Sequence, residues 1–369
     1  MLLRGLCLLL GCGLGLAAAE ALVARFDPFG ASYHREVPYF LSRAIEFPPE
    51  AIRPDGRLFQ HRPNLEIELR RFRFCSDALG HRAARPGPRP APPADRPAPL
   101  RVLCLGDSVT LCWGVHHEQG WPALLEAQGR ASDGRALEVH NAGHLIYNTI
   151  QAADLFTALA PVLAPELVLL TVVSNDLDDN WGRYQREFAA ALAPASAPAS
   201  GTGARDEGAE SEPGDGPEAL APGAVVPGYR LFLERLAARF TPALLGVWRH
   251  LESRPSASLA GPPTPVSELP EYQRGWPLAE AALERLRAAC EASGARLVLL
   301  DHSVPKLPGY EDWARRRGVP YADVNFTPAE WAQPVRLSAA DAHSNALGNR
   351  LHAAHVLRAL RAEGLLAPE

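Results

Sequence analysis

Between residues 100 and 365 the hydrophobic positions alternate between two periods. Apolar runs of strand length occur in "LRVLCLG" (100–106), "ALEVHNAG" (136–143), "ELVLLTVVS" (166–174), "ARLVLLDHS" (295–303) and, less sharply, "VPYADVN" (319–325). Between them "WPALLEAQGR", "TIQAADLFTALAPVL" and "PLAEAALERLRAACEASG", and after them "ALGNRLHAAHVLRALRAEGLL", carry the 3.6-residue spacing of amphipathic helices. Apolar strands separated by such helices predict an α/β domain with a central parallel sheet of about five strands, covered on both faces. In that architecture the ligand site lies at the carboxyl ends of the strands.

Other segments depart from this rhythm. Residues 26–84 form an N-terminal extension in which "NLEIELRRFRF" (64–74) alternates as a half-exposed strand would. Residues 85–99, "RPGPRPAPPADRPAP", are a proline-rich linker that neither helix nor central strand tolerates. Two insertions interrupt the α/β domain of residues 100–365. Residues 186–228 are of low complexity, and within them 191–224, without aromatics and rich in Ala, Pro, Gly, Ser and acid, are expected to be disordered. Residues 229–274 follow with a helical pattern. The insertions read either as a lid over the site or as a solvated excursion.

Residues 1–25 place Arg4 before an apolar run that reaches Ala17, Ala18 and Ala19 and continues past Glu20. The run fits a cleaved secretory signal, with small residues at the cleavage site, and it fits an uncleaved anchor with Arg4 inside and the body outside. A lipidation site at Cys12 is a third reading, disfavoured by the apolar residues after it. Each reading exports the remainder, either held at a membrane or released as a periplasmic or secreted protein. A net charge of −5 offers no basic footprint for nucleic acid. Lys306 is the single lysine, so arginine supplies the positive charge and a lone Arg says little about function. Beyond the export segment stand Cys75, Cys104, Cys112 and Cys290, with no C-x-x-C pair among them. They read as buried small hydrophobes before they read as disulfides.

The candidate chemistry begins where the first strand ends at Gly106-Asp107-Ser108. Ser108 falls between a strand and a helix, in the crevice at the strand ends. A serine becomes a nucleophile only with a base to take its proton and donors for the oxyanion. "DAHSNALGN" supplies His343 as base, with Asp341 two residues earlier to orient the imidazole. Gly143 in "HNAG" and Asn175 in "VVSNDLDDN" each follow a strand and reach the same edge, one with a backbone N–H and the other with a side-chain amide. Taken singly, Ser108 also suits a helix N-cap, Gly143 a tight turn and Asn175 a cap. Asp107 reads as structural. Asp176, Asp178 and Asp179 read as a solvated loop, with cation binding as the other reading, and the i, i+3 pair His352 and His355 lacks the partner motif of a metal site. His116 and His117 receive no role, and no G-x-S-x-G elbow occurs anywhere in the chain.

Four blocks in this order, "GDSVT", "NAG", "SND" and "DAHSN", resemble the SGNH hydrolases, the GDSL-type esterases and lipases. The resemblance covers about residues 100–185 and 275–365, and "SDALGHR" before the linker looks like a lead-in seen in exported bacterial members. It implies a flavodoxin-like three-layer fold, a Ser108 nucleophile served by His343 and Asp341, and an oxyanion hole of Ser108 N–H, Gly143 N–H and the Asn175 amide. It implies neither metal nor cofactor. This chain departs from the family pattern at Cys112 and Val173, where glycine is common, and at Ser344, where proline is. The expected activity is hydrolysis of a carboxylic ester in a small molecule or glycan, with short acyl groups favoured. Transfer of an acyl group to an extracytoplasmic sugar, and a non-catalytic envelope protein that kept the fold, are the alternatives.

Overall fold

The computed structural model describes residues 2–27, 30, 32–46, 59–90, 95–177, 243–244 and 270–368. Most of the two insertions and residues 91–94 of the linker lie outside them, as do Asp178 and Asp179. Helix α1 (Leu2–Phe26) leads to α2 (Tyr33–Ala44) and a short antiparallel pair, β1 (Ile45–Glu46) with β2 (Gln60–His61). Among the residues whose side chains are described, no helix is long and apolar enough to cross a membrane.

A second sheet organises the rest. Its strands are β3 (Glu66–Glu68), β4 (Arg73–Ser76), β5 (Arg82–Ala83), β6 (Leu100–Leu105), β7 (Leu137–Asn141), β8 (Leu167–Val172), β9 (Arg296–Asp301) and β10 (Tyr321–Asp323). They lie in the order β10-β9-β8-β6-β7-β5-β4-β3. The five strands from β10 to β7 are parallel, as expected, and their order reverses between β6 and β8, the topological switch point of a flavodoxin-like sheet.

Three further antiparallel strands, all from the N-terminal extension, extend this sheet beyond β7. The single strand expected over 64–74 is in fact the β3–β4 hairpin. Leu69 and Phe72 are buried, and Leu69 N–H donates to Phe72 C=O across exposed Arg70 and Arg71. Two consecutive polar residues break the period of two, and the chain turns where the alternation breaks.

Successive residues of the parallel strands feed opposite faces. Leu103 and Leu105 of β6, Val168 and Leu170 of β8, and Leu297 and Leu299 of β9 pack toward α5 (Thr149–Leu163) and α6 (Pro270–Ser293). Val102 and Cys104, Leu167 and Leu169, and Val298 and Leu300 pack toward α4 (Trp121–Gln128) and α9 (Ala346–Ala362). α7 (Pro308–Arg317) joins the first face through Tyr310 and Trp313, and the short α8 (Pro328–Trp331) lies between β10 and α9 in the chain. Cys75, Cys104, Cys112 and Cys290 are all buried and unpaired.

Candidate active site

β6 ends at Leu105, and the chain turns sharply through Gly106 at φ +144°. A Cβ there would stand 2.4 Å from Thr110 Oγ1 and 2.9 Å from Thr171 C=O, so only glycine passes. The buried Asp107 then caps the short helix α3 (Ser108–Leu111), accepting Val109 N–H at Oδ1 (2.9 Å). Ser108 is thus the first residue of α3, and its backbone N–H has no partner within the helix. Burial raises the pKa of Asp107 against the lowering effects of the Val109 N–H and of His343.

The second part of the site comes from the loop before α9. His343 Nε2 lies 2.7 Å from Ser108 Oγ, and His343 Nδ1 lies 2.6 Å from Asp341 Oδ1. The same Oδ1 accepts the backbone N–H of His343 at 3.1 Å, so one carboxylate oxygen fixes both the main chain and the ring. Asp341 is itself held by a bond from its N–H to Ser338 Oγ (3.0 Å). Asn345 ends the loop as the cap of α9, accepting Leu347 and Gly348 N–H while its amide donates to Pro334 and Arg336 C=O. Residues far apart in sequence therefore form one hydrogen-bonded line from Asp341 through His343 to Ser108.

The oxyanion side is less simply arranged. Gly143 packs on the backbone of α3, where a Cβ would stand 2.3 Å from Leu111 N, so its first role is close approach. Its N–H is donated to Asn141 Oδ1 at 3.1 Å, and a substrate oxygen would have to share it. Three residues on, Ile146 holds φ +67°, a conformation a β-branched residue seldom adopts. Asn175 is exposed on the 3₁₀ turn Ser174–Leu177 after β8, at the sheet edge that carries Ser108. Its neighbour Asp176 is buried, accepts Val173 N–H, and is pushed well above the usual carboxylate range by burial and by Asp107. His355 Nε2 is 3.0 Å from Glu330 Oε1, away from the triad.

Two contributors were not found from the sequence. Arg82, fully buried, donates from Nη1 to Leu111 and Cys112 C=O and from Nη2 to Val115 C=O, gripping the chain just after α3. Burial lowers its pKa, and its guanidinium lies 5.4 Å from the centre of the Phe72 ring. Cys112, where the family pattern favours glycine, takes φ +58° at the end of α3, and Arg82 holds its carbonyl there. Tyr33 at the start of α2 places its ring 5.8 Å from that of His343. The position of Arg82 in "SDALGHR" was the available signal. Tyr33 left none.

A cavity of about 10 Å³ adjoins Ser108, lined also by Trp121, His343 and His352. A much larger one, about 820 Å³, lies between the linker and residues 130–138 and includes none of the triad. Cavity size does not mark the candidate site; the hydrogen-bonded line from Asp341 to Ser108 does.

A serine hydroxyl bonded to an imidazole that is bonded in turn to a buried carboxylate, at the switch point of a parallel sheet, is the arrangement of a nucleophilic serine site. No family model and no curated protein matches the chain. Among solved structures, TesA is 15% identical with a TM-score of 0.39, over 71% of this chain and 98% of that one. A lipolytic protein of the G-D-S-L family from Veillonella parvula is 12% identical with a TM-score of 0.37, over 70% of this chain and 96% of that one. The psychrotrophic esterase EstA from Pseudoalteromonas sp. is 12% identical with a TM-score of 0.39, over 72% and 98%. Likenesses at this level carry no argument about activity, which rests on the geometry of the site.

Proposed function

We propose that this chain is a serine ester hydrolase. The observation that carries the reading is the continuous line Asp341 Oδ1–His343 Nδ1 (2.6 Å) and His343 Nε2–Ser108 Oγ (2.7 Å). His343 takes the Ser108 proton at Nε2 as Oγ bonds to the ester carbonyl carbon, and the carbonyl π electrons move onto oxygen. Ser108 N–H, Gly143 N–H and the Asn175 amide are the donors proposed for that oxyanion. Collapse breaks the ester C–O bond, and the leaving alkoxide takes the proton from His343. Water, deprotonated by the same imidazole, then releases the acid from Ser108. Asp341 holds Nδ1–H and stabilises the imidazolium, keeping Nε2 the basic nitrogen.

We further propose that the protein acts after export and that its substrates carry short acyl groups, on a small molecule or on a glycan. The apolar residues 5–19 after Arg4 support export. Ser108→Ala tests the nucleophile: hydrolysis of a short-chain aryl ester and the fluorophosphonate adduct that the wild type forms on Ser108 are both expected to vanish. Undiminished turnover refutes the assignment.

A further inference from the structure

Away from the triad, Asp77, His81 and His140 converge at the junction of the N-terminal hairpin with the parallel sheet. All three are buried, and their ligand atoms lie within 4.8 Å of one another. Asp77 and His81 bracket the turn between β4 and β5, and the Arg82↔Asn141 pairing brings that turn beside His140 on β7. Asp77 Oδ1 is committed to the turn, accepting Leu79 and His81 N–H. Asp77 Oδ2 is left facing His81 Nδ1 at 3.8 Å and Arg89 Nε at 3.6 Å, too far for a hydrogen bond with either.

Both ring nitrogens of His81 and both of His140 are buried without a hydrogen-bond partner. Four such nitrogens in one place are unusual, since buried polar atoms in native proteins are nearly always satisfied. Nearby charges favour a dication: the carboxylates Asp77, Glu126 and Glu138 outnumber the cations Arg89, whose Nη1 is 3.7 Å from Glu126, and Arg101, which also acts on His140, while Glu138 Oε1 is 3.3 Å from His140 Nε2.

We propose that Asp77, His81 and His140 bind a divalent transition metal, zinc by its preference for two imidazoles and a carboxylate, with Glu138 or water at the fourth position. Zinc bonds of about 2.0–2.2 Å set ligand atoms about 3.4 Å apart, so the side chains close by roughly 1 Å on binding. The ion takes no part in the ester chemistry. It pins the hairpin to β7, and the residue next to His81 is Arg82, whose guanidinium holds the chain behind Ser108. The site thereby joins a stretch outside the four motif blocks to the placement of the nucleophile.

The test uses the full chain, freed of metal by dialysis against a chelator. Zinc is titrated in competition with a chromophoric chelator, and metal retained after desalting is measured by mass spectrometry. One equivalent of zinc per chain is expected, with a rise in Tm that saturates at that ratio and, with cobalt, a visible d–d spectrum of nitrogen and oxygen ligands. His81→Gln and His140→Gln are each expected to weaken binding by at least about tenfold. Arg89→Gln, which removes the cation facing Asp77, is expected to tighten it. A folded wild-type chain that retains no zinc and shows no shift in Tm overturns the proposal, even if the histidine variants fail to fold. Stoichiometric binding unaltered in folded histidine variants also overturns it, by placing the metal elsewhere.

Discussion

Acid should unfold this protein by charging histidines that the fold keeps neutral. His144 is 1% exposed, and both its ring nitrogens are committed: Nδ1–H donates to Ala142 C=O at 2.9 Å, and Nε2 accepts the backbone N–H of His61 at 3.1 Å. A proton on Nε2 would set two donors head to head, and burial holds the pKa down at about 4. His302, 4.8 Å from the ring of His352, is likewise pushed down by burial to about 4. The folded pKa lies below the unfolded one, so this stability is intact above pH 6.5 and drains away as the pH falls toward 4.

Lowering the pH from 7.5 to 5.0 therefore costs about 2 kcal/mol for each of these histidines, at about 1.4 kcal/mol per pH unit below 6.5. For the pair that is about 4 kcal/mol, a large share of the 5–15 kcal/mol typical of a folded domain. Buried carboxyls act in the opposite sense. Asp176 and Asp301, raised by burial, gain stability as the pH falls and offset part of the loss. The decisive quantity is thus a difference between proteins. Urea unfolding followed by tryptophan fluorescence at pH 7.5 and 5.0, at fixed ionic strength, gives the acid loss for the wild type, His144→Gln and His302→Gln. Each variant should lose about 2 kcal/mol less than the wild type. Variants that lose as much as the wild type would refute the reasoning.

Three further outcomes follow from the site. Asp341→Asn, which leaves Nδ1 of His343 without its carboxylate, should lower kcat by about 10²–10⁴-fold with little change in KM, measured on a short-chain aryl ester. Gly143→Ala puts a Cβ 2.3 Å from Leu111 N, so α3 must shift; a stability loss of about 1–3 kcal/mol should come with slower fluorophosphonate labelling of Ser108. Arg82→Met leaves the Leu111, Cys112 and Val115 carbonyls without donors, each worth about 1–3 kcal/mol, partly offset by relief of the desolvated charge. Calorimetry should show the lower Tm, and Arg82→Lys should recover kcat only in part.

β6, β8 and β9 were legible because each is an apolar run largely buried on both faces, whereas the short β10, with no buried residue, left a weaker trace; a motif also stood at the end of each strand that feeds the site. Ser108, His343 and Asp341 stood out because a hydroxyl, an imidazole and a carboxylate in those contexts have few structural reasons to be there. The β3–β4 hairpin was harder to see, since the alternation on either side of Arg70-Arg71 is continuous in kind and only its phase slips. Arg82 was hidden by composition: in a chain whose positive charge is nearly all arginine, one more carries no signal. Asp77, His81 and His140 are brought together by the antiparallel pairing of β5 with β7, which no local pattern announces. The engagement of Gly143 N–H by Asn141 is a matter of side-chain rotamer, below the resolution of any sequence pattern.

The pairing of β5 with β7 also sets where the protein can be cut. The motif blocks suggest a minimal enzyme that starts at residue 100, after the proline-rich run. Such a fragment would strip β7 of its pairing with Arg82 at Asn141 and of the Arg89 bond to Val139 C=O, opening more of that edge to another chain, which is how sheets aggregate. In the whole protein β5 covers the Asn141 end of β7, and the sheet there runs on to β3, three residues long, with Glu66 and Glu68 exposed, a short and charged border that discourages further pairing. Residues that look dispensable by motif are thus the selvedge of the sheet, and a shortened version that keeps its solubility has to begin before β3.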